Sequence, residues 1–215
     1  MHDNDTAARQ CRPIEEASSP MKWIEPVRLS GKAVRLEPLR VEHQAALQDA
    51  VADGALSGLW FTKIPSPDSM GAEIARRLAL QDAGTMIPFT VQDISTGKAL
   101  GMTTFMNIEA PHRRLEIGST WYRASAQRTG VNTDCKRLLL THAFETLACI
   151  AVEFRTSSFN RASRAAIERL GAKLDGVLRS HQIVEGDILR DTYVYSITAS
   201  EWPAVKKHLS VLSGD

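Results

Sequence analysis

"AQRTGVNTDCKRLLLTHAFETL", residues 126–147, decides how the rest of the chain is read. Val131, Cys135, Leu138, Leu139, Phe144 and Leu147 recur at near-helical spacing, which predicts a helix over 131–147 with one buried face. The polar residues before it, Gln127 to Thr133 around one glycine, would leave several backbone N–H groups unpaired at a helix start. Such amides, with the positive end of the helix dipole, suit a phosphate group. Gly130 permits close backbone approach and unusual φ/ψ, and Arg128 adds charge. An ordinary capped helix that binds nothing, with Thr133 or Asn132 as the cap, fits the same letters.

Working outward, "LEIGSTWY" (115–122) reads as a strand that runs straight into this turn. On its other side "IAVEFRTS" (150–157) is a short β-rich run, and "NRASRAAIERLGA" (160–172) is a helix with Gly171 at its end. Strands follow near 173–184 and 188–197, joined through "EGD", and a last helix begins at "SEWPAVKKHL" with Ser200 as cap and Pro203 in the first turn. Towards the N-terminus, "KAVRLEPL" (32–39) alternates as a strand. A helix over 40–53 places Val41, Ala45, Leu47 and Val51 on one face. A second helix is capped by Ser66 or Asp68 and stopped by Gly84. Residues 87–109 read as two strands around the turn "DISTG". The sum is one α+β domain over 21–215, preceded by a polar stretch, 1–20, expected to be a disordered extension.

Composition excludes several classes. With 43% hydrophobic and 24% charged residues and a net charge of +1, nothing favours nucleic acid or an anionic membrane as partner. No apolar run approaches the ~18 residues of a membrane span, and residues 1–20 lack the apolar core of a secretory signal. Cys11, Cys135 and Cys149 have no metal-ligand or CxxC spacing, and the histidines are scattered, so no metal is expected and a reducing cytoplasm is the natural location. Cys135, in the first turn of a helix, is a place where a thiol pKa could fall, but a small semi-buried packing residue is the expectation rather than a nucleophile.

Three segments together resemble the GNAT N-acetyltransferases. Gln127-x-x-Gly130-x-Asn132 after "LEIGSTWY" resembles that superfamily's acyl-CoA pyrophosphate loop, with Asn132 where the family has Gly or Ala. "VEFRTSSFNRASRAAIERLGA" resembles its following strand–helix unit. The Asn160-x-x-Ser163 start, the Leu170-Gly171-Ala172 end and "VRLEPLRVEHQAAL" are similar to the RimJ/RimL-type branch, the ribosomal-protein N-terminal acetyltransferases and their relatives. The resemblance covers roughly residues 27–200.

It implies a GNAT fold: a mixed, mostly antiparallel sheet splayed between strands 115–122 and 150–157, with helices on both faces and a bulge near Gly118 opening the splay. It implies acetyl-CoA as co-substrate, its pyrophosphate on Gln127, Arg128, Thr129, Gly130, Val131, Asn132 and Thr133, and Asn160 as helix cap or pantetheine ligand. Arg164 and Arg169 are candidates for the adenosine 3′-phosphate. The implied reaction is direct attack by a primary amine, a protein N-terminus or a small molecule, in a ternary complex. Glu116, which alternates away from Leu115 and Ile117, is the candidate base, with Glu153 a rival, and Ser163 is the candidate proton donor to the thiolate. Trp60 and Phe61 are candidates for the acceptor wall. Late strands of this fold pair across dimers, so a homodimer is an expectation. A non-catalytic acyl-CoA-binding regulatory or interaction module is the alternative reading.

Overall fold

The computed structural model describes residues 23–54 and 56–214, so the expected N-terminal extension lies outside the described residues. The strands are β1 (Leu29–Ser30), β2 (Val34–Pro38), β3 (Met86–Asp93), β4 (Ala99–Glu109), β5 (Arg114–Tyr122), β6 (Ala151–Ser157), β7 (Lys173–Val184) and β8 (Ile188–Thr198). They form a single sheet in the order β1-β2-β3-β4-β5-β6-β8-β7. Every neighbouring pair is antiparallel except β5 and β6. The helices are α1 (Gln44–Ala52), α2 (Met70–Asp82), α3 (Val131–Thr141), α4 (Arg161–Arg169) and α5 (Trp202–Leu212).

The helices cover both faces. Leu47, Ala50 and Val51 of α1 and Met70 and Ile74 of α2 pack against Ala99, Met102 and Trp121. Cys135, Leu139 and Leu140 of α3, with Trp202, Val205 and Leu209 of α5, close the opposite face over Phe89, Phe105, Ile117 and Val152. The larger cluster also takes Ile167 and Leu170 from the α4 region. Burying apolar area on this scale at about 25 cal/mol per Å² is what holds the sheet between its two helical layers.

Several element ends differ from the periodicity reading for local reasons. The stretch 41–43 is a 3-10 turn, so α1 begins at Gln44 with a shifted phase. Val41 and Ala45, expected inside, are exposed, while His43 and Ala50 are buried. The cap of α2 is Ser69, not Ser66 or Asp68; Ser66 instead exchanges hydrogen bonds with it, Ser66 N–H to Ser69 Oγ at 2.9 Å and Ser69 N–H to Ser66 Oγ at 3.2 Å. The α-helical part of 131–147 stops at Thr141, and His142–Thr146 continue as a wider π-type turn before Ala148 takes a positive φ of 52°. Glu201, one residue past the expected Ser200, precedes α5, its carboxylate accepting from Thr198 N–H at 2.9 Å. Two-residue β1 is too short to carry any period.

One contact ties α3 to the start of the sheet. Asp134, 5% exposed, accepts from the N–H groups of Ala33 (2.8 Å) and Val34 (3.1 Å) and pairs with Arg137 at 3.0 Å. A Cβ on Gly31 would lie 2.5 Å from its carboxylate, so this turn can approach only as glycine. Removing the acceptor strands two backbone donors. Asp134→Ala is therefore expected to cost about 2 kcal/mol or more, read as a lower urea midpoint with an unchanged slope; a loss below about 0.5 kcal/mol would contradict this role.

Candidate functional site

The site begins as a defect in the sheet. β5 and β6 pair through only three registers, Arg114 with Ala151, Leu115 with Val152 and Glu116 with Glu153, and then part. The divergence has a visible cause on β5. Against β4, Thr104 faces Gly118 and Met102 faces Trp121, so β5 carries one extra residue there. Ser119 absorbs it with φ 45°. The expected bulge near Gly118 thus falls one residue later. Arg77 of α2, 1% exposed, donates to the Ser119 carbonyl (3.3 Å) and to Thr104 Oγ1, and its charge is met by Glu73 at 2.7 Å.

A second bulge aims the acid. β4 carries an extra residue between Met106 and Glu109, and Asn107 takes φ 46°. From there Asn107 Nδ2 donates to Glu116 Oε2 at 2.7 Å. Arg155 Nε stands 3.6 Å from the same oxygen. Glu116 is 5% exposed and sits where β5 and β6 separate, while Leu115 and Ile117 face the core as strand alternation predicts. Burial pushes its carboxyl above the usual glutamate range, against the Asn107 hydrogen bond and the Arg155 charge, both of which favour the anion. A Cβ on Gly118 would lie 2.9 Å from Glu116 Oε1, so glycine there leaves the carboxylate its place. Glu153, the rival acid, is engaged by Arg114 and by Arg155 (2.9 Å).

The strand gap opens into a cleft of about 1680 Å³. That exceeds the roughly 300–1,000 Å³ of an ordinary small-ligand pocket, leaving room for an extended ligand and a second molecule. Gln127, Arg128, Thr129 and Asn132 line one end of it, Glu116 to Tyr122 the β5 side, and Asn160 and Ser163 the α4 side. Phe61 lines it as well, and Trp60 packs on Phe159 at 5.0 Å between ring centroids, joining the α1–α2 connection to the β6–α4 connection. Trp121 lies in the core cluster, 4% exposed.

At the polar end, α3 starts without a side-chain cap. Its N-cap is Gly130, so neither Asn132 nor Thr133 has that role, and Gly130 has an ordinary φ of −68°. The positive φ belongs to Arg128 at 60°. Thr129 Oγ1 accepts from Val131 N–H at 3.3 Å, and Gln127 Nε2 donates back to the Tyr122 carbonyl at 3.0 Å, bracing the loop. Val131 packs against the core cluster, and Thr133 is 3% exposed with its hydroxyl held by Arg169 Nη2 at 3.0 Å. A Cβ on Gly130 would meet nothing within 4 Å, so the protein's own packing does not demand glycine there.

On α4, Asn160 is the N-cap, its Oδ1 accepting from Ser163 N–H at 3.0 Å. Arg164 is committed elsewhere, lying 4.0 Å over the Tyr193 ring and donating to Tyr195 Oη at 3.2 Å. Cys135 is a packing residue of α3, fully buried, and burial raises its pKa rather than the helix start lowering it. No group of histidine, cysteine and acidic side chains able to hold a metal occurs among the described residues. No helix among them is long and apolar enough to cross a membrane.

This geometry has counterparts. The family model described as "Acetyltransferase (GNAT) domain" matches residues 33–173. The chain belongs to the GNAT acetyltransferase family. It is 33% identical over 110 residues to the Bacillus subtilis (strain 168) protein named "Putative ribosomal N-acetyltransferase YdaF", covering 51% of this chain and 59% of that protein. The match thus spans little more than half of the curated relative. Among solved structures, a GCN5-related N-acetyltransferase from Brucella melitensis is 27% identical with a TM-score of 0.77, covering 88% of this chain and 86% of that one. RimJ of Mycobacterium smegmatis, solved in complex with CoA-disulfide, shares the fold at a TM-score of 0.72 and 24% identity, covering 88% and 93%.

Reading the sequence missed Asn107, Arg77, Arg155 and Lys136. Lys136 of α3 lies at the cleft wall, 5% exposed, with Nζ donating to Thr120 Oγ1 at 2.7 Å. The Asn107 contact gives a direct test. Because that hydrogen bond favours the ionised carboxyl, Asn107→Ala should move Glu116 further above the usual glutamate range. Carboxyl ¹³C titration reads both values, and a Glu116 that titrates like an exposed glutamate in either protein would contradict the geometry.

Proposed function

We propose that this protein transfers the acetyl group of acetyl-CoA to a primary amine by direct attack in a ternary complex. The observation that carries the reading is the β5–β6 pair ending after Glu116 and Glu153 in a cleft whose far end is the uncapped start of α3. Free amides and the helix dipole there suit the diphosphate of the coenzyme. The parted strand edges offer unpaired backbone groups to the amides of the pantetheine arm, as a strand edge does to a peptide. Holding the thioester between two strands beside the amine's entry path supplies orientation, which can carry much of the acceleration.

Glu116 acts as the base, directly or through one water. Its raised pKa brings it nearer the working pH, where a base gives the best compromise between ionised fraction and proton affinity. Ser163, lining the α4 side, holds the departing sulfur by a hydrogen bond, and the thiolate, with an ordinary pKa near 8.5, takes its proton from solvent. Gln127, Arg128, Thr129, Gly130, Val131, Asn132 and Thr133 form the diphosphate cradle, mainly through their backbone. Asn160 fixes the first turn of α4 beside the arm.

A protein N-terminus is the favoured acceptor. Its amine, with pKa near 8, needs less help to become neutral than a lysine near 10.4. The name of the Bacillus relative points the same way. The wall formed by Leu56, Leu59, Phe61 and Ile64 presents apolar surface rather than a carboxylate cluster for a polycation.

The reading is tested by release of free CoA thiol with a panel of peptide N-termini and small amines. Turnover is expected with at least one peptide; tight acetyl-CoA binding with no turnover on any acceptor would leave a binding module instead. Glu116→Gln should lower kcat about 10²-fold or more and remove the rise of activity with pH through the Glu116 pKa, with acetyl-CoA affinity retained. An unchanged rate removes Glu116 from the mechanism. The sign for stability is opposite. A carboxyl whose folded pKa is raised loses stability as pH climbs above its unfolded value, so Glu116→Gln should unfold no more easily at pH 7 than the parent. Gly130→Val, whose Cβ meets nothing within 4 Å in the free protein, should still fold, with at most a small loss in Tm from the poorer N-cap, and weaken acetyl-CoA binding at least tenfold; retained affinity would contradict the cradle.

A further inference from the structure

Lys136 is a buried cation that the reaction outlined above does not use. Its Nζ donates to Thr120 Oγ1 on β5 (2.7 Å) and to Thr103 Oγ1 on β4 (3.4 Å), and these hydroxyls also bond each other at 2.8 Å. Among the described residues no carboxylate acts on its charge; burial and the Cys135 thiol are what do. The other ionisable groups near it are the Cys135 thiol on its own helix and the Tyr122 phenol beside that thiol, while β4 and β5 face it with the two threonine hydroxyls.

An ammonium has three N–H bonds, and the hydroxyls account for two. Taking such a charge out of water without a counter-ion is costly, and two neutral hydroxyls recover only part of that cost. Burial accordingly pulls the Lys136 pKa down to about 8. A neutral side chain of the same length would fill this space without that penalty. A cost of this kind, borne at the wall of a cleft, marks a site whose return comes from a ligand.

Register says which part of a ligand. Asn132 and Lys136 are four apart on α3 and both line the cleft, so Lys136 stands one turn below the amide cradle. Its tie to Thr120 sets it at the height of the β5 bulge, just past Ser119. An oxygen acceptor reached from there belongs to the arm threading the strands rather than to the phosphates bound one turn above.

We infer that Lys136 is a ligand-binding residue whose remaining N–H bonds an amide or thioester carbonyl oxygen of the acyl-pantetheine arm. This rests on the acetyl-CoA reading above and adds a side chain to it. A charged donor in that position also favours negative charge on a carbonyl oxygen over the neutral state.

The test compares Lys136→Met with the parent, using S-acetylpantetheine for the arm and adenosine 3′-phosphate 5′-diphosphate for the phosphate end, by calorimetry. Lys136→Met should weaken S-acetylpantetheine and acetyl-CoA at least tenfold, leave the nucleotide within twofold, and melt at or above the parent temperature at pH 7. Its advantage in Tm should shrink as pH rises past about 8, since the parent's lysine then sheds its charge in the folded state. Parent affinity for S-acetylpantetheine should fall over the same range, while the variant's stays flat; burial holds Cys135 and Tyr122 above their ordinary values. Lys136→Gln carries the same comparison should the Met variant fail to fold. Equal weakening of arm and nucleotide would assign the lysine to the phosphates, and unchanged affinity for both would make it structural; either overturns the inference alone. A parent protein that binds acetyl-CoA at neither end overturns the functional reading itself.

Discussion

The shortness of the β5–β6 parallel pair is the constraint on which the site depends. Three registers hold the two strands side by side, enough to fix their relative height, and the extra residue at Ser119 then bends β5 away. A bulge at a sheet interior leaves backbone groups unpaired, a cost that a fold retains only where something recovers it. Here Arg77 secures one of those groups, the Ser119 carbonyl, from the helix packed behind it, so the opening is built in rather than frayed. An acyl-CoA arm with its own amides is the kind of ligand able to satisfy the rest.

The two bulges divide the labour. The one on β5 makes the gap, and the one on β4 at Asn107 sets the donor that orients Glu116 within it. Gly118 lies between them and keeps clear the volume that the carboxylate occupies. Charge is distributed with the same economy. Glu153 takes up Arg114 and shares Arg155, which leaves Glu116 with a longer contact of 3.6 Å and a pKa governed by burial. Two glutamates that face each other across a parallel pair are thereby given different partners, Glu153 its arginines and Glu116 the Asn107 amide.

How much of this the sequence carried follows from what each feature rests on. Elements marked by composition, spacing or end signals were readable: the strand at 115–122, the helix after Gly130, the Asn160 cap, and Gly171 at the end of α4, where φ is 98°. The GNAT resemblance added the order of the parts, and the splay and the glutamate facing it lie where that order implies. Features that rest on register between strands were not readable. Nothing in "TFMNIE" marks Asn107 as the extra residue, although asparagine tolerates positive φ better than most. Nothing in "CKRLLL" marks Lys136 as buried, because periodicity assigns a face and cannot say that this face closes over two threonines. For Cys135 the packing reading holds: it is a buried helix residue, and complete burial raises its pKa where a helix start alone would lower it.

A crystal structure of the protein with acetyl-CoA tests the account most directly. The account predicts the diphosphate on the backbone amides between Arg128 and Thr133, the arm lying in the gap between β5 and β6, and the thioester within reach of Glu116. Density for the coenzyme anywhere outside that gap, or β5 and β6 closed onto each other beyond Glu116 with the ligand bound, would contradict it.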